Sequence, residues 1–594
     1  MKQFFLTMAG VFAGLAIFLV GVPIVLISLA VSATSAPPAP ARAVLELDLR
    51  DPLTDQAPHN ALLGFGRSGT SVMSIIETLH HAESDARVKG LLVRLPEVGL
   101  EPGMADELRQ AFGRFRKAGK TIIAHSQGVY PSGVATTAYM LGAAADQFWM
   151  QPGATLQVTG VSTEDLFFKR FFDKYGIVPQ FEQRAEYKNA VNGYLQSDYT
   201  PAHREAALSW LGSIYDSNLA SAAQDRKTDA ATLKRTLEAG PYGADEALRL
   251  KLIDHTGQVR EAEQALLARS GEGSERMDFR DYADNARAAD RPRGGGELIA
   301  VIEAEGAVLT GRDTGPNPLR GGGAIYSDEL AGAILRAART DAVKAIVLRL
   351  NSPGGSDTAS EQILDAIRFA KAKGKPVVVS MSTYGASGGY WIASEASAIV
   401  AQPTTLTGSI GVYGGKFALG PALARLGVDV RKTGVGSDYA EAFGLGEPFT
   451  ADQRAAFAGW MDQIYGDFIT RVAVGRKLSP EKVRELARGR VWTGAQAKQL
   501  GLVDELGGFY QAVDKAKTLA GLSGEIHLKR MTPGEGAFES LQRVLGVSAT
   551  SARTLAAAAW VMGDPRAEAL LDGLAQARLR DGGRAAVLAV TPFR

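Results

Sequence analysis

The sequence predicts an α/β protein of two tandem α/β units preceded by one transmembrane helix. Three observations carry this: short apolar strands alternating with amphipathic helices, residue matches that recur at a nearly constant offset, and a long uncharged run at the amino terminus. Strands that are apolar throughout mark a sheet covered on both faces, and the intervening helices supply the cover. At 594 residues, 46% hydrophobic and 22% charged, the chain can bury more than one core. A formal net charge of +1 without a long Lys/Arg run lacks the electrostatic footprint of a nucleic-acid binder, so no nucleic-acid partner is expected. The absence of cysteine excludes disulfides, thiolate nucleophiles and Cys-based metal sites, while fitting either redox compartment.

Phe4 to Val31 is a run of 28 residues without a charge. As a helix it would be about 42 Å long, enough to cross a hydrocarbon core of about 30 Å with some tilt. A cleavable signal peptide has a shorter apolar core, and here Pro37 follows Ala36, the best candidate cleavage residue. The run therefore reads as an uncleaved anchor, with a removed signal peptide as the alternative. Charge alone leaves its orientation nearly tied, with Lys2 and the terminal amine on one side and Arg42 and Arg50 on the other. Pro37, Pro38 and Pro40 make the following linker a semi-rigid extended spacer.

Beyond the linker the chain is duplicated. Trp210, Tyr215, Ala247 and Leu252-Ile253-Asp254 match Trp460, Tyr465, Ala497 and Leu502-Val503-Asp504 at an offset of 250. Tyr139, Gln151-Pro152 and Gly160-Val161 match Tyr390, Gln402-Pro403 and Gly411-Val412 at 251, and Val88-Lys89 and Arg94 match Val343-Lys344 and Arg349 at 255. So long a period means a duplicated domain rather than a solenoid. Each copy opens with an apolar strand, near Val44 to Leu49 and Leu298 to Ile302, followed by an amphipathic helix and a second apolar strand near Gly90 to Val93 and Ala345 to Leu348. The predicted organisation is an amino-terminal tail at 1–3, an anchor at 4–31, a linker at 32–42, a first copy at 43–269, a charged and Gly-rich linker at 270–296, a second copy at 297–545, and a helical extension at 546–594.

The second copy carries the chemistry. Ser387 stands in Tyr384-Gly385-Ala386-Ser387-Gly388-Gly389-Tyr390-Trp391, after the apolar strand Pro376 to Met381, where small neighbours let a substrate backbone approach the hydroxyl. A tightly packed helix start would give the same pattern, and this is not a Gly-x-Ser-x-Gly elbow. Asn351-Ser352-Pro353-Gly354-Gly355-Ser356 lies between a buried strand and a helix predicted at Ser360 to Lys371, so it collects free backbone N–H groups; Gly354 or Gly355, with Gly388, are candidates for an oxyanion hole. An ordinary strand-to-helix turn is the alternative. A serine nucleophile needs a base, yet no histidine lies between His255 and His527. Lysine can serve if burial brings its pKa down from about 10.4 to near 7, at a cost of roughly 4 kcal/mol.

Ala386-Ser387-Gly388-Gly389-Tyr390-Trp391, Asn351-Ser352-Pro353-Gly354-Gly355 and Leu406-Thr407-Gly408-Ser409-Ile410-Gly411 together resemble the signal peptide peptidase A family in its long bacterial form, within peptidase family S49. The likeness covers nearly the whole chain. It implies that each copy has the fold shared by Clp proteases and crotonases and that the base comes from the first copy. Tyr187-Lys188-Asn189-Ala190 resembles the stretch that carries it, which implies Lys188 as base and Ser409 as the residue orienting it. Asn189 stands where the family usually has serine, and Glu186, two residues from Lys188, must point away or be solvated for the lysine to work. The copies support the division from within: the first has Thr136, Thr137 and Ala138 opposite Ser387, Gly388 and Gly389, while Lys188 falls opposite Tyr439 or its neighbour.

The resemblance further implies a serine endopeptidase with a Ser-Lys dyad that needs no metal or cofactor and cuts signal peptides and other hydrophobic peptides. It implies four chains assembled into a bowl on the bacterial cytoplasmic membrane, each single-pass with its catalytic body in the periplasm. Two other readings fit parts of the pattern: a crotonase-like acyl-CoA enzyme and a catalytically inactive membrane scaffold. A Phe-rich stretch, Phe167 to Lys174, suits contact with lipid or a neighbouring subunit, or a solvated helix face over an aromatic core.

Overall fold

The computed structural model describes residues 38–57, 70–131, 133–289, 297–313, 323–524 and 526–533. The predicted span at 4–31 and extension at 546–594 lie outside them; among the described residues no helix is long and apolar enough to cross a membrane.

In the first copy, strands β1 (Ala43–Asp48), β2 (Val88–Arg94), β3 (Thr121–Ser126) and β4 (Gln147–Met150) alternate with helices α1 (Val72–Ser84), α2 (Pro102–Lys117) and α3 (Ala135–Ala143). After β4 the chain leaves this sheet through β5 (Val178–Gln183) and the long helix α4 (Pro201–Arg226), then returns as β6 (His255–Thr256) and α5 (Val259–Ser270). The residues expected as a linker at 270–296 are instead folded over much of their length. They form β7 (Glu275–Asp278), parallel to β1, and α6 (Phe279–Ala289). Phe279, Tyr282, Ala283 and Ala286 are buried there at helical spacing, a stripe that the surrounding charge had masked. The first sheet has the order β6-β4-β3-β2-β1-β7, parallel throughout.

The second copy repeats the plan with β8 (Glu297–Glu305), α7 (Ser327–Arg339), β9 (Val343–Ser352), α8 (Asp357–Ala372), β10 (Val377–Ala386), α9 (Gly388–Ala393), β11 (Ala398–Ala401), β12 (Leu406–Gly408), β13 (Tyr413–Ala418) and α10 (Ala451–Arg476). It ends in β14 (Val491–Thr493), β15 (Glu505–Leu506), α11 (Phe509–Leu519) and β16 (Ile526–Arg530). The path β14-β12-β10-β9-β8-β16 is parallel except between β12 and β14, and β11 pairs with β10 and β15. The duplication extends to register: Val44 faces Gly90 as Ile299 faces Ala345, each one residue after an irregularity. It extends to caps as well, since α4 and α10 are both 26 residues long, begin at a capping threonine and end at a left-handed lysine. Helix α8 begins three residues before its expected start because Ser356 Oγ accepts from Ala359 N–H at 3.3 Å and caps it there.

Several contacts join the copies, among them a strand ladder and a buried charge cluster. Strand β5 pairs antiparallel with β13 from Val178–Ala418 to Gln183–Tyr413, beside an aromatic cluster of Phe172, Phe181, Tyr194 and Phe417. The charged side of the Phe-rich stretch thus lies over an aromatic core, with Phe171 half exposed. Elsewhere Arg349, fully buried, donates to Asp55 (2.6 and 3.0 Å), Glu107 (2.9 Å) and Ser380. Both carboxylates come from the first copy; Ser382 also donates to Asp55 Oδ1 and Gln402 to Glu107 Oε2, and the other Glu107 oxygen accepts from Phe509 N–H. A buried charge cluster of this kind is tolerable because nearly every lone pair is used.

Candidate active site

Strand β10 runs into α9 through Ser387, whose φ of 54° and ψ of −120° lie outside the usual regions for a residue with a Cβ. The turn leaves the serine half-buried at the end of the sheet, and its N–H is held by Gly408 O at 2.9 Å. A strained strand-to-helix turn that presents a serine is the geometry by which α/β hydrolases expose a nucleophile, reached here without their sequence motif.

The lysine arrives from the other copy. The β5–β13 ladder continues as Arg184 N–H donates to Val412 O, Ala185 turns the chain at a φ of 69°, and Tyr187 N–H donates to Arg488 O at 3.1 Å. Lys188 is thereby sent into the second copy, where it is 3% exposed. Its Nζ lies 3.0 Å from Ser387 Oγ, 2.9 Å from Ser409 Oγ and 2.9 Å from Ser409 O. Desolvation pushes its pKa down to about 7. Glu186 does not oppose this: it is exposed and paired with Arg488.

With a neutral lysine the three contacts fit one orientation of its two N–H bonds and lone pair. Two N–H bonds go to Ser409, and the lone pair faces the Ser387 hydroxyl and can accept its proton.

The glycine turn stands opposite. Gly354 has a φ of 107°, and a Cβ there would lie 2.7 Å from both Ser387 Cβ and Gly388 N, so the position requires glycine. Its own N–H, expected as a possible oxyanion donor, is committed to Ser352 Oγ at 3.1 Å. Among the described residues the N–H groups of Gly355 and Gly388 have no protein acceptor, and Gly355 is exposed. The turn is fixed by Asn351, which accepts from Tyr384 N–H and donates to Glu305, and by Ser352, which donates to Gly306 O.

The structure therefore brings together every residue singled out from the sequence, and adds others. Gly489, at a φ of 75°, packs so closely on Lys188 that a Cβ would lie 2.6 Å from its N and Cβ. Arg488 and Arg490 flank it. The left-handed residues Ala185, Ser387, Ser409 and Arg488 all belong to this site, Arg488 just past the end of a short helix (Pro480–Leu486), whereas Lys227, Lys251 and Lys477 follow helices away from it. Strain in a functional site is held by its surroundings, and no glycine marks these four positions in the sequence.

A half-buried serine at a strained strand-to-helix turn, with free backbone N–H groups across from it, has the geometry of a serine hydrolase. A family model described as peptidase family S49 matches residues 114–271 and 369–523, one stretch in each copy. Protease 4 of Salmonella typhi is 33% identical over 502 residues, covering 81% of this chain and 79% of that protein. Protease 4 of Haemophilus influenzae is 31% identical over 470 residues (76% and 73%), and the chloroplastic serine protease SPPA of Arabidopsis thaliana 30% identical over 489 residues (81% and 69%). The chain belongs to peptidase family S49 and is a serine protease.

Proposed function

We propose that the protein is a membrane-anchored endopeptidase using a Ser387-Lys188 dyad. The observation that carries this is the 3.0 Å approach of Lys188 Nζ to Ser387 Oγ across the two copies. Ser387 Oγ attacks the peptide carbonyl carbon as its proton passes to neutral Lys188, and the new oxyanion accepts from the N–H groups of Gly355 and Gly388. Lys188 then protonates the leaving amine as the C–N bond breaks. A water that gives its proton to Lys188 cleaves the acyl ester, and the proton returns to Ser387. Ser409 holds the lysine in line throughout.

The substrates are signal peptides left in the cytoplasmic membrane after secretion, together with other hydrophobic peptides. Four chains surround a shared chamber on the periplasmic side, each tied to the bilayer by residues 4–31. The uncharged length of that segment and the resemblance of the three motifs support this reading.

Hydrolysis of an apolar, internally quenched peptide tests the chemistry. Wild type should cleave it, and Ser387→Ala and Lys188→Ala should each lose at least about a thousandfold in kcat while remaining folded. Retention of turnover by either variant would contradict the dyad. Comparing membrane peptides from cells carrying wild type or Ser387→Ala tests the substrate class: apolar signal-peptide fragments should accumulate with the variant.

A further inference from the structure

The segment Arg488-Gly489-Arg490, between α10 and β14, runs along the seam between the lysine and the serine and touches both sides. Arg488 O accepts from Tyr187 N–H at 3.1 Å, on the lysine side. Gly489 N–H donates to Ile410 O at 2.9 Å, and Arg490 O accepts from Ser409 N–H at 2.7 Å, both on the serine side. The side chains extend the grip. The Arg490 guanidinium binds both oxygens of Glu205 on α4, at 2.6 and 2.7 Å, and stacks 4.9 Å from the Tyr187 ring centre and 4.4 Å from that of Trp492. Arg488 approaches the same tyrosine ring at 5.2 Å. Bidentate pairing plus aromatic stacking is a geometry that lysine cannot reproduce.

We propose that Arg490 is a positioning residue for the base: its carbonyl fixes Ser409 and its side chain fixes Tyr187, so the two groups that hold Lys188 in place are registered by one residue of the opposite copy. Gly489 completes the strap because its bare Cα is the wall against which the lysine backbone rests. This rests on the reading of Lys188 as the base. Three features separate the strap from ordinary interface packing. It contacts Tyr187, directly before the lysine, and the backbone of Lys188 itself. Among the described residues it supplies the acceptor for Ser409 N–H, through Arg490 O. It also seals Lys188 from water, and a misplacement of about 1 Å at such a site costs about a hundredfold in rate.

The test is the pH dependence of peptide hydrolysis by Arg490→Ala, Arg490→Lys and Lys188→Ala, each checked for folding by circular dichroism. Arg490→Ala should lower kcat tenfold or more, leave KM within about threefold, and move the acid limb of the profile upward by about one pH unit or more as water reaches the lysine. Arg490→Lys should fall between it and wild type. If Arg490→Ala keeps the wild-type kcat and acid limb while Lys188→Ala is inactive, the strap has no positioning role. If Lys188→Ala itself keeps full activity, the base assignment fails independently of the strap. Should Arg490→Ala not fold, Glu205→Gln repeats the test from an exposed helix position; an unchanged kcat and acid limb there would equally overturn the proposal.

Discussion

Lys188 is an expensive residue for this fold. Holding it unprotonated in a dry site uses folding free energy that a methionine would not require, and the linkage has a definite sign. The folded pKa is lowered to about 7 from an ordinary value of 10.5, so between these two pH values the unfolded chain binds a proton that the folded chain does not. Wild-type stability relative to Lys188→Met should therefore rise with pH through that window, by up to about 1.4 kcal/mol per pH unit, and level off below pH 7. Chemical denaturation of both proteins across the window measures it. A constant difference would mean that the lysine is solvated. The identity of Lys188 was not legible locally, because Glu186-Tyr187-Lys188-Asn189 offers no apolar context and its burial is supplied by the other copy. Resemblance pointed to it, and the three short contacts to Ser387 and Ser409 show why such a residue can work there. Ser387 was more legible, since its glycines and the absence of histidine both constrain the chemistry.

At the scale of elements, the continuous apolar strands and the glycine turns were readable because their physics is local: burial on two faces demands apolar runs, and left-handed backbone demands glycine. Where a different force decides, the pattern fails. Strand β7 is an edge strand with Met277 as its one buried side chain, so backbone pairing with β1, not hydrophobicity, defines it. The left-handed Ala185, Ser409 and Arg488 leave no mark in composition, since none of them is a glycine. The Gly354-Gly355 turn was located correctly, but its two N–H groups have different fates because Ser352 Oγ captures that of Gly354. Only the folded turn separates a glycine kept for close approach from one that can donate to a substrate.

At the scale of the molecule, duplication has divided one site between two frameworks. The first copy has lost the serine and its turn, the second has no counterpart of Lys188, and β5 carries the lysine across. Besides that ladder, the buried cluster of Arg349, Asp55 and Glu107 ties the halves together. Arg349→Ala should cost about 3–5 kcal/mol in denaturant unfolding because it strands two carboxylates away from water, whereas Arg249→Ala, at an exposed pair, should leave the unfolding midpoint nearly unchanged. Equal effects would show that the cluster does not hold the copies together. The matched repeats pointed to a site divided between the copies, while the seam contacts involve residues hundreds of positions apart that no local pattern joins.

The central claim, that a lysine from one copy activates a serine of the other, is tested most directly by the rate at which a fluorophosphonate modifies Ser387 as a function of pH. The account predicts a single ionisation with a midpoint near pH 7, rising toward alkaline pH, and loss of that dependence together with nearly all reactivity in Lys188→Ala. A profile that is flat across neutral pH, or one that Lys188→Ala leaves in place, would contradict it.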